Sequence, residues 1–324
     1  MHTPINYTPL KTSYRRKRSS KLKTIFMCFV TLCIGILSYN LTTNMLMATR
    51  AGSSKHDTKP GRPFIFFGGY PTPTTSPLKV IVANQIKDVD GIVAVAIKNL
   101  KTEETYYLNE HTVFQSASLY KLWVMATVFD QIEKGTLKET ETVEADVVKL
   151  NEKYDIATEE AEMKEGTISL TVASALNQMI TISHNYAAYV LVNRVGLTNI
   201  KKFLAAHGLE ESKVSNPPKT TAADIALFLE KLYNEELGSA QNRAKMIDLL
   251  KKQQINEVLP KYLPESTILG HKTGDLGEFA HDAGIIYANK GDYVIVLMSN
   301  SKYTPDAKEA MAKISESVFN YFEE

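Results

Sequence analysis

The chain has 324 residues, of which 44% are apolar, enough for one large domain or two small ones with a substantial core. Its net charge of +1 hides an asymmetry, because residues 1–23 carry seven Lys or Arg and no acid, whereas the remainder carries 30 basic and 36 acidic residues, a net charge of −6. This acidic body excludes nucleic acid as an expected partner. The two cysteines, Cys28 and Cys33, both lie in the uncharged segment 24–48, so the part of the chain after it cannot form a disulfide, a thiol nucleophile or a thiolate metal site.

The first 48 residues predict an exported protein. Residues 1–23 are a basic, cytoplasmic tail, and residues 24–48 contain no charged side chain. At about 1.5 Å per residue, such a segment crosses a bilayer as a helix. Because the basic residues precede it, the N-terminus is expected inside and the body outside, in a single-pass protein of the cell membrane. The alternative is a signal segment that is cleaved, which would leave the body secreted.

The next segment, residues 49–78, is rich in Gly, Pro, Ser and Thr. This composition is typical of a flexible linker rather than of a packed core. Residues 79–324 are therefore predicted to form one domain, and we find no internal repeat in it.

The elements of this domain follow from hydrophobic periodicity and turn residues. A strand hairpin is predicted over 91–100 and 104–110, followed by a long helix that is apolar over 119–129 and ends near 133–137. A charged, irregular stretch at 138–166 precedes helices over 169–183, 186–196, 197–208, 221–236 and 240–253, the fourth with threonine caps. Three strands over 266–274, 282–289 and 292–300 and a helix over 305–324 complete the chain.

Two strands near the start of the domain and three near its end predict a single sheet that joins both chain ends. The predicted fold is α/β in the broad sense, more strictly α+β. A five-stranded antiparallel sheet is flanked by helices, and an all-helical subdomain is inserted between its two parts.

A lysine lies inside the most apolar helix, three residues after a serine. Ser-x-x-Lys occurs at 20–23, 76–79 and 118–121, but only Ser118 and Lys121 lie at the start of a buried helix, where residues three apart share a face. Burial lowers the pKa of a lysine, so Lys121 can accept a proton and activate the Ser118 hydroxyl. Alternatively, Lys121 extends to solvent from the helix end and a serine caps the helix.

Two further polar motifs lie at ends of predicted elements. Ser183 and Asn185 lie between two apolar helices, where they could cap a helix or point into a cleft. Lys272, Thr273 and Gly274 end a predicted strand, where a basic and a hydroxyl side chain can bind a carboxylate; an ordinary edge-strand lysine before a turn is the alternative. Ser118 and Ser183 are 65 residues apart, and Ser183 and Lys272 are 89 apart.

In this order, Ser-x-x-Lys, Ser-x-Asn and Lys-Thr-Gly form the motif set of penicillin-binding proteins and serine β-lactamases. Residues from about 90 to 324 resemble a class A β-lactamase in motifs and in element order. The resemblance implies that Ser118 is the acylated nucleophile, that Lys121 is its base, and that Ser183 passes a proton to the leaving nitrogen.

The resemblance also implies how a substrate would bind. Asn185 would hold the amide of the acyl side chain, and Lys272 and Thr273 would bind the substrate carboxylate beside Gly274. The backbone N–H groups of Ser118 and Asp275 would form the oxyanion hole. Tyr154 could form a wall of the cleft.

The sequence departs from the class A pattern in three places. His184 stands where class A enzymes have aspartate, which puts little in doubt. The loop before residue 220 is short and lacks the deacylating glutamate; Glu210 and Glu211, its only carboxylates, are expected to face solvent. No arginine follows the third motif, where His281 could replace it, although a pairing of His281 with Asp282 is favoured.

These features favour a class A type serine hydrolase that is acylated at Ser118 and cleaves β-lactam amides, with slow deacylation. A membrane-anchored D,D-peptidase acting on D-Ala-D-Ala ends of peptidoglycan is the alternative, and a β-lactam-binding wall sensor without turnover is a third. The expected partners are a β-lactam or a peptidoglycan stem peptide, and a monomer is expected.

Other hydrolase classes are disfavoured. The chain has no Gly-x-Ser-x-Gly elbow, and it has no His-Glu-x-x-His metal motif among its seven histidines. No cofactor and no metal are expected.

Overall fold

A computed structural model of the chain describes residues 76–323. The predicted basic tail, the uncharged segment 24–48 and the linker up to residue 75 lie outside this range. The first helix, α1 (Pro77–Ile86), begins two residues before the predicted domain boundary, and its Leu78 and Val82 are buried in the core. The last two residues of the predicted linker therefore belong to the packed domain. Within residues 76–323, no helix is both long enough and apolar enough to cross a bilayer.

The predicted five-stranded antiparallel sheet is confirmed. Its strand order is β2-β1-β9-β8-β7, so the strands from the two chain ends meet where β1 pairs with β9. The strands are β1 (Gly91–Asn99), β2 (Thr105–Leu108), β7 (Ile268–Leu276), β8 (Phe279–Tyr287) and β9 (Tyr293–Ser301). Strand β7 lies at one edge of the sheet and carries the third motif.

Both faces of the sheet are covered, which is why its central strands are almost continuously apolar. Successive side chains of β1 alternate between the faces. Val93, Val95 and Ile97 join a core layer with α1 and the C-terminal helix α9 (Thr304–Glu323), whereas Ala94 and Ala96 join the core of the helical part. Full burial of each large apolar side chain stabilises the fold by about 1.5–3 kcal/mol.

The helical part surrounds one apolar helix, α2 (Lys121–Glu133), of whose 13 residues ten are buried. A buried helix is apolar on every side, as the sequence predicted. A 3-10 turn, Ala117–Tyr120, leads directly into it. Its neighbours in the helical part are α4 (Val172–Thr181), α5 (Asn185–Val195), α6 (Leu197–Ala206), α7 (Ala222–Tyr233) and α8 (Ala240–Lys251).

The stretch predicted to be irregular contains regular structure. Strand β4 (Thr142–Asp146) pairs with β5 (Thr167–Thr171), and the short helix α3 (Val147–Lys153) follows β4. The helix predicted over 169–183 therefore begins only at Val172, where Thr171 caps it. The pairing of β4 with β5 joins residues distant in sequence, which local periodicity does not reveal.

A second short pair lies next to the first motif. Strand β3 (Phe114–Gln115) pairs with β6 (Lys219–Thr220), and the Ser116 N–H donates to the Pro218 carbonyl at 2.9 Å. These bonds attach the 3-10 turn that contains Ser118 to the chain just before α7.

Candidate active site

Ser118 lies in the 3-10 turn at the start of α2, where its side chain is partly exposed. The residue before it, Ala117, has φ of +43°, in the left-handed region that side chains rarely adopt. Such backbone strain costs about 1–3 kcal/mol and persists where the surrounding structure requires it, often at functional sites. No hydrogen bond of the Ser118 hydroxyl occurs among residues 76–323, so this oxygen is free to meet a ligand.

The Lys121 ammonium group is fully buried and is held by the second motif. Its Nζ donates to the backbone oxygen of Ser183 at 2.5 Å, and it lies 3.1 Å from Ser183 Oγ and 2.8 Å from Asn185 Oδ1. Ser183 has φ of +59°, and this backbone conformation presents both of its oxygens to one lysine. The alternative, in which Lys121 extends to solvent, is therefore wrong, and Lys121 bonds Ser183 rather than Ser118 in this structure.

The third motif reaches the same hydroxyl from the opposite side. Lys272, also fully buried, places its Nζ 3.0 Å from Ser183 Oγ, and it donates to its neighbour's carbonyl, Thr273 O, at 2.8 Å. Thr273, which follows Lys272 in β7, is also buried. The three motifs thus meet at the Ser183 hydroxyl, which lies between two buried lysines.

Gly274 lets the edge strand β7 approach the turn that contains Ser118. A Cβ atom on Gly274 would lie 3.1 Å from the Ser116 carbonyl oxygen and 3.2 Å from the Ser118 backbone nitrogen. Both distances are shorter than ordinary van der Waals contact, so any side chain here would displace the turn.

We predict that Gly274→Ala slows acylation of Ser118 by about tenfold, because small displacements of reacting groups are costly. The control is Gly270→Ala in the same strand, whose Cβ atom would be similarly crowded, 3.3 Å from Leu250 Cβ, but against helix α8. Rate constants for labelling by a fluorescent penicillin measure both effects. Equal rates for the two variants would contradict the prediction.

Burial controls the charge of both lysines. It lowers the pKa of Lys121 well below its ordinary value, and the neighbouring Lys272 lowers this pKa further while Glu162 opposes the change. Burial also lowers the pKa of Lys272 to about 7, against the opposing charges of Asp282 and Asp275. Lys121 can therefore exist as a neutral amine, the form that accepts a proton.

Glu162 is a site residue that the sequence analysis missed. The Asn185 amide, whose oxygen accepts from Lys121, donates through Nδ2 to Glu162 Oε1 at 2.6 Å. Glu162 lies in the stretch predicted to be irregular and belongs to no motif. Its position follows from the fold of the chain between β4 and β5, and no local sequence signal indicates it.

Asp275 and Tyr154 occupy the borders of the site. The Asp275 carboxylate points towards α9, where it lies 2.9 Å from Lys308 Nζ. The role predicted for Asp275 in the oxyanion hole concerns its backbone N–H, which this ion pair leaves available. Tyr154 ends α3 and stacks on Tyr189 with ring centroids 4.2 Å apart, and its hydroxyl donates to Asn193 at 3.2 Å. The pair forms an aromatic surface beside the site. Burial and then the charge of Glu162 raise the pKa of Tyr189 to about 12.

His184, which replaces the aspartate of class A enzymes, caps helix α5. Its Nδ1 accepts a hydrogen bond from the Ala187 N–H at 3.1 Å, the bond that an aspartate makes at a helix N-terminus. The replacement therefore keeps the local backbone structure of the second motif.

Both expectations for His281 are wrong. His281 is buried rather than open to a substrate carboxylate, its Nε2 donates to the Gln115 carbonyl at 2.8 Å, and burial lowers its pKa. Asp282 instead pairs with His271, at 2.8 Å. Adjacent residues of a strand point to opposite faces of the sheet, so the side chains of His281 and Asp282 cannot pair with each other.

The two carboxylates of the short loop take different positions. Glu210 is exposed, as expected. Glu211 is only partly exposed; it accepts from Thr221 Oγ1 at 2.8 Å and lies 3.1 Å from His111 Nδ1. Burial acts to raise the pKa of Glu211, but the hydrogen bonds with Thr221 and His111 outweigh it, so the pKa is lowered overall. Among the described residues, no hydrogen bond joins either glutamate to Ser118 or to the buried lysines.

Comparisons with known proteins agree with this geometry. A sequence model of the Beta-lactamase enzyme family matches residues 77–322, which is most of the chain. The chain is 25% identical to β-lactamase VEB-1 of Pseudomonas aeruginosa over 283 residues, which cover 78% of this chain and 93% of that protein.

Solved structures show the same fold. A β-lactamase from Sphaerobacter thermophilus superposes with a TM-score of 0.66 at 22% identity and covers 76% of this chain and 96% of its own. PBP-A superposes with a TM-score of 0.67 at 22% identity, covering 76% and 95%. A variant of PBP-A was solved as an acyl-enzyme complex with penicillin G. With the family match over residues 77–322, these findings establish that the chain belongs to the Beta-lactamase enzyme family and is a serine hydrolase.

Proposed function

We propose that the protein is a β-lactam hydrolase of the class A type, acylated at Ser118. The observation that carries this proposal is the Ser183 hydroxyl, which lies 3.1 Å from Lys121 Nζ and 3.0 Å from Lys272 Nζ. The partly exposed Ser118 lies one turn before Lys121, at the start of α2. This arrangement supplies a nucleophile, a base and a proton relay within one cluster. The VEB-1 relative and the penicillin acyl-enzyme of PBP-A support the substrate class.

In the acylation step, Ser118 Oγ attacks the β-lactam carbonyl carbon while its proton passes to neutral Lys121. The carbonyl oxygen becomes an oxyanion, which the N–H groups of Ser118 and Asp275 would stabilise. When the oxyanion collapses, the ring C–N bond breaks and leaves an ester on Ser118. The ring nitrogen takes up a proton.

Ser183 is the proposed donor of that proton. A neutral Lys121 has two N–H groups. They can donate hydrogen bonds to the Ser183 backbone oxygen and to the Asn185 side-chain oxygen. The lone pair of Lys121 is then free to take a proton. Once Lys121 is protonated it can pass that proton on through Ser183 Oγ, which is within hydrogen-bond distance. Lys272 on the other side keeps the Ser183 hydroxyl in position.

The remaining residues would orient the substrate. A protonated Lys272 and the Thr273 hydroxyl would bind the substrate carboxylate next to Gly274, where the strand backbone approaches closely. The Asn185 amide would bind the acyl side chain. The aromatic pair Tyr154 and Tyr189 would lie along that side chain.

The second candidate is a D,D-peptidase that cleaves D-Ala-D-Ala ends of peptidoglycan. Glu211 favours it, because this carboxylate bonds to His111 and Thr221 and, among the described residues, makes no hydrogen bond to Ser118 or to the buried lysines. An acyl-enzyme without an activating carboxylate is cleared slowly, as in a peptidase or a wall sensor. Measuring hydrolysed benzylpenicillin and D-alanine release from a D-Ala-D-Ala peptide with one preparation distinguishes these functions; D-alanine release without penicillin hydrolysis would contradict our first proposal.

We expect the acylation rate to depend on pH with two limbs. As the pH increases, the rate rises when Lys121 loses its proton. This rise occurs at a lower pH than the deprotonation of an exposed lysine, because burial lowers the pKa of Lys121. The rate falls above about pH 7, as Lys272 loses the charge that binds the substrate carboxylate. The two lysines titrate as a coupled pair. Stopped-flow acylation across the pH range measures the profile, and a rise confined to strongly alkaline pH would contradict it.

We also propose that the enzyme acts outside the cell membrane. The basic residues 1–23 and the uncharged segment 24–48 support this location. Protease accessibility of the domain in intact cells tests it, and protection of the domain would contradict it.

A further inference from the structure

Glu162 forms one end of a chain of hydrogen bonds that leads to the buried base. Lys121 Nζ donates to Asn185 Oδ1, so the Asn185 Nδ2 group faces outward and donates to Glu162. The Nδ2 group has two N–H bonds. Glu162 uses one, and the other remains for a substrate carbonyl.

The Glu162 carboxylate is exposed. Among residues 76–323, it forms no ion pair with a lysine, arginine or histidine, and its hydrogen-bond partner there is Asn185 Nδ2. Glu162 also lies close enough to Tyr189 and Lys121 to affect the pKa of each. The site therefore combines an amide donor, an aromatic surface and an exposed carboxylate at one place.

We propose that Glu162 is a specificity-determining residue that favours acyl donors with a cationic amine beside the side-chain amide. This inference rests on the proposed function. When the amide carbonyl of such a substrate accepts from Asn185, an ammonium group on the adjacent carbon lies near the Glu162 carboxylate. The same chemistry occurs in aminopenicillins and in peptides that carry an amine close to the scissile end.

The test compares ampicillin with benzylpenicillin, which differ only by one amine on the carbon next to the side-chain carbonyl. Second-order rate constants for acylation of the full-length protein are measured at mildly acidic pH, where this amine is protonated. We expect the ratio of ampicillin to benzylpenicillin rate constants to fall about threefold to fivefold in Glu162→Gln, the range of a partly exposed ion pair. Glu162→Lys should lower the ratio further.

The matched control is Glu159→Gln, which removes the same charge from an exposed position three residues earlier. Its ratio should equal that of the parent. If Glu162→Gln changes both rate constants by one factor, Glu162 only positions Asn185, and the inference is overturned. If neither rate constant changes in Glu162→Gln, the inference is overturned as well. If neither penicillin acylates the parent protein, the proposed function fails together with this inference.

Discussion

Ser118→Ala is expected to abolish covalent labelling by penicillin. The Ser118 hydroxyl is the only proposed nucleophile, and the alanine variant has no oxygen with which to form the ester. Because this side chain is partly exposed and makes no hydrogen bond among residues 76–323, its loss should leave the fold intact. Gel fluorescence with a labelled penicillin measures the effect.

The control for this variant is Ser169→Ala, which removes an exposed serine hydroxyl from β5. It should be labelled at the parental rate. If Ser118→Ala remained labelled to the same extent, another residue would be the nucleophile and the assignment of the site would be wrong.

Lys121→Met is expected to slow acylation by about 10²- to 10⁴-fold, the usual contribution of a general base. Methionine has a similar shape but cannot accept the proton of Ser118. The substitution also removes the amine that donates hydrogen bonds to Ser183 and Asn185, so both the base and the geometry of the second motif are lost. Single-turnover acylation at saturating penicillin isolates this step from binding.

Lys134→Met is the matched control, since Lys134 is an exposed residue at the C-terminal end of the same helix and pairs with Asp130 on the surface. Its acylation rate should match the parent. A Lys121→Met variant that is acylated as fast as the Lys134→Met variant would show that Lys121 is not the base.

Much of the fold was predictable because its signals are local. The hairpin, the three later strands and the apolar helix each have a periodicity that a short window reveals. The motif around Ser118 was recognisable because a lysine is rarely buried without a partner. The order of the three motifs then indicated that Ser183 and Lys272 would join it.

Long-range contacts that no motif or strand pattern announces were not predictable. The β4–β5 pair and the position of Glu162 on Asn185 arise only when distant segments meet. The same holds for the pairing of His271 with Asp282 across two strands, which left His281 to bond a backbone carbonyl instead. Residue types indicate which groups can pair, whereas the strand register decides which groups do.

The most direct test is intact-mass spectrometry of the full-length protein, mixed with benzylpenicillin and sampled over time. Our account predicts one penicillin adduct, on the peptide that contains Ser118, which decays slowly while hydrolysed penicillin accumulates. Slow decay follows from Glu211, which is bonded to His111 and Thr221 and not to the site. A persistent adduct without product would contradict the hydrolase and favour the peptidase or the sensor. Neither adduct nor product would contradict acylation of Ser118 by β-lactams altogether.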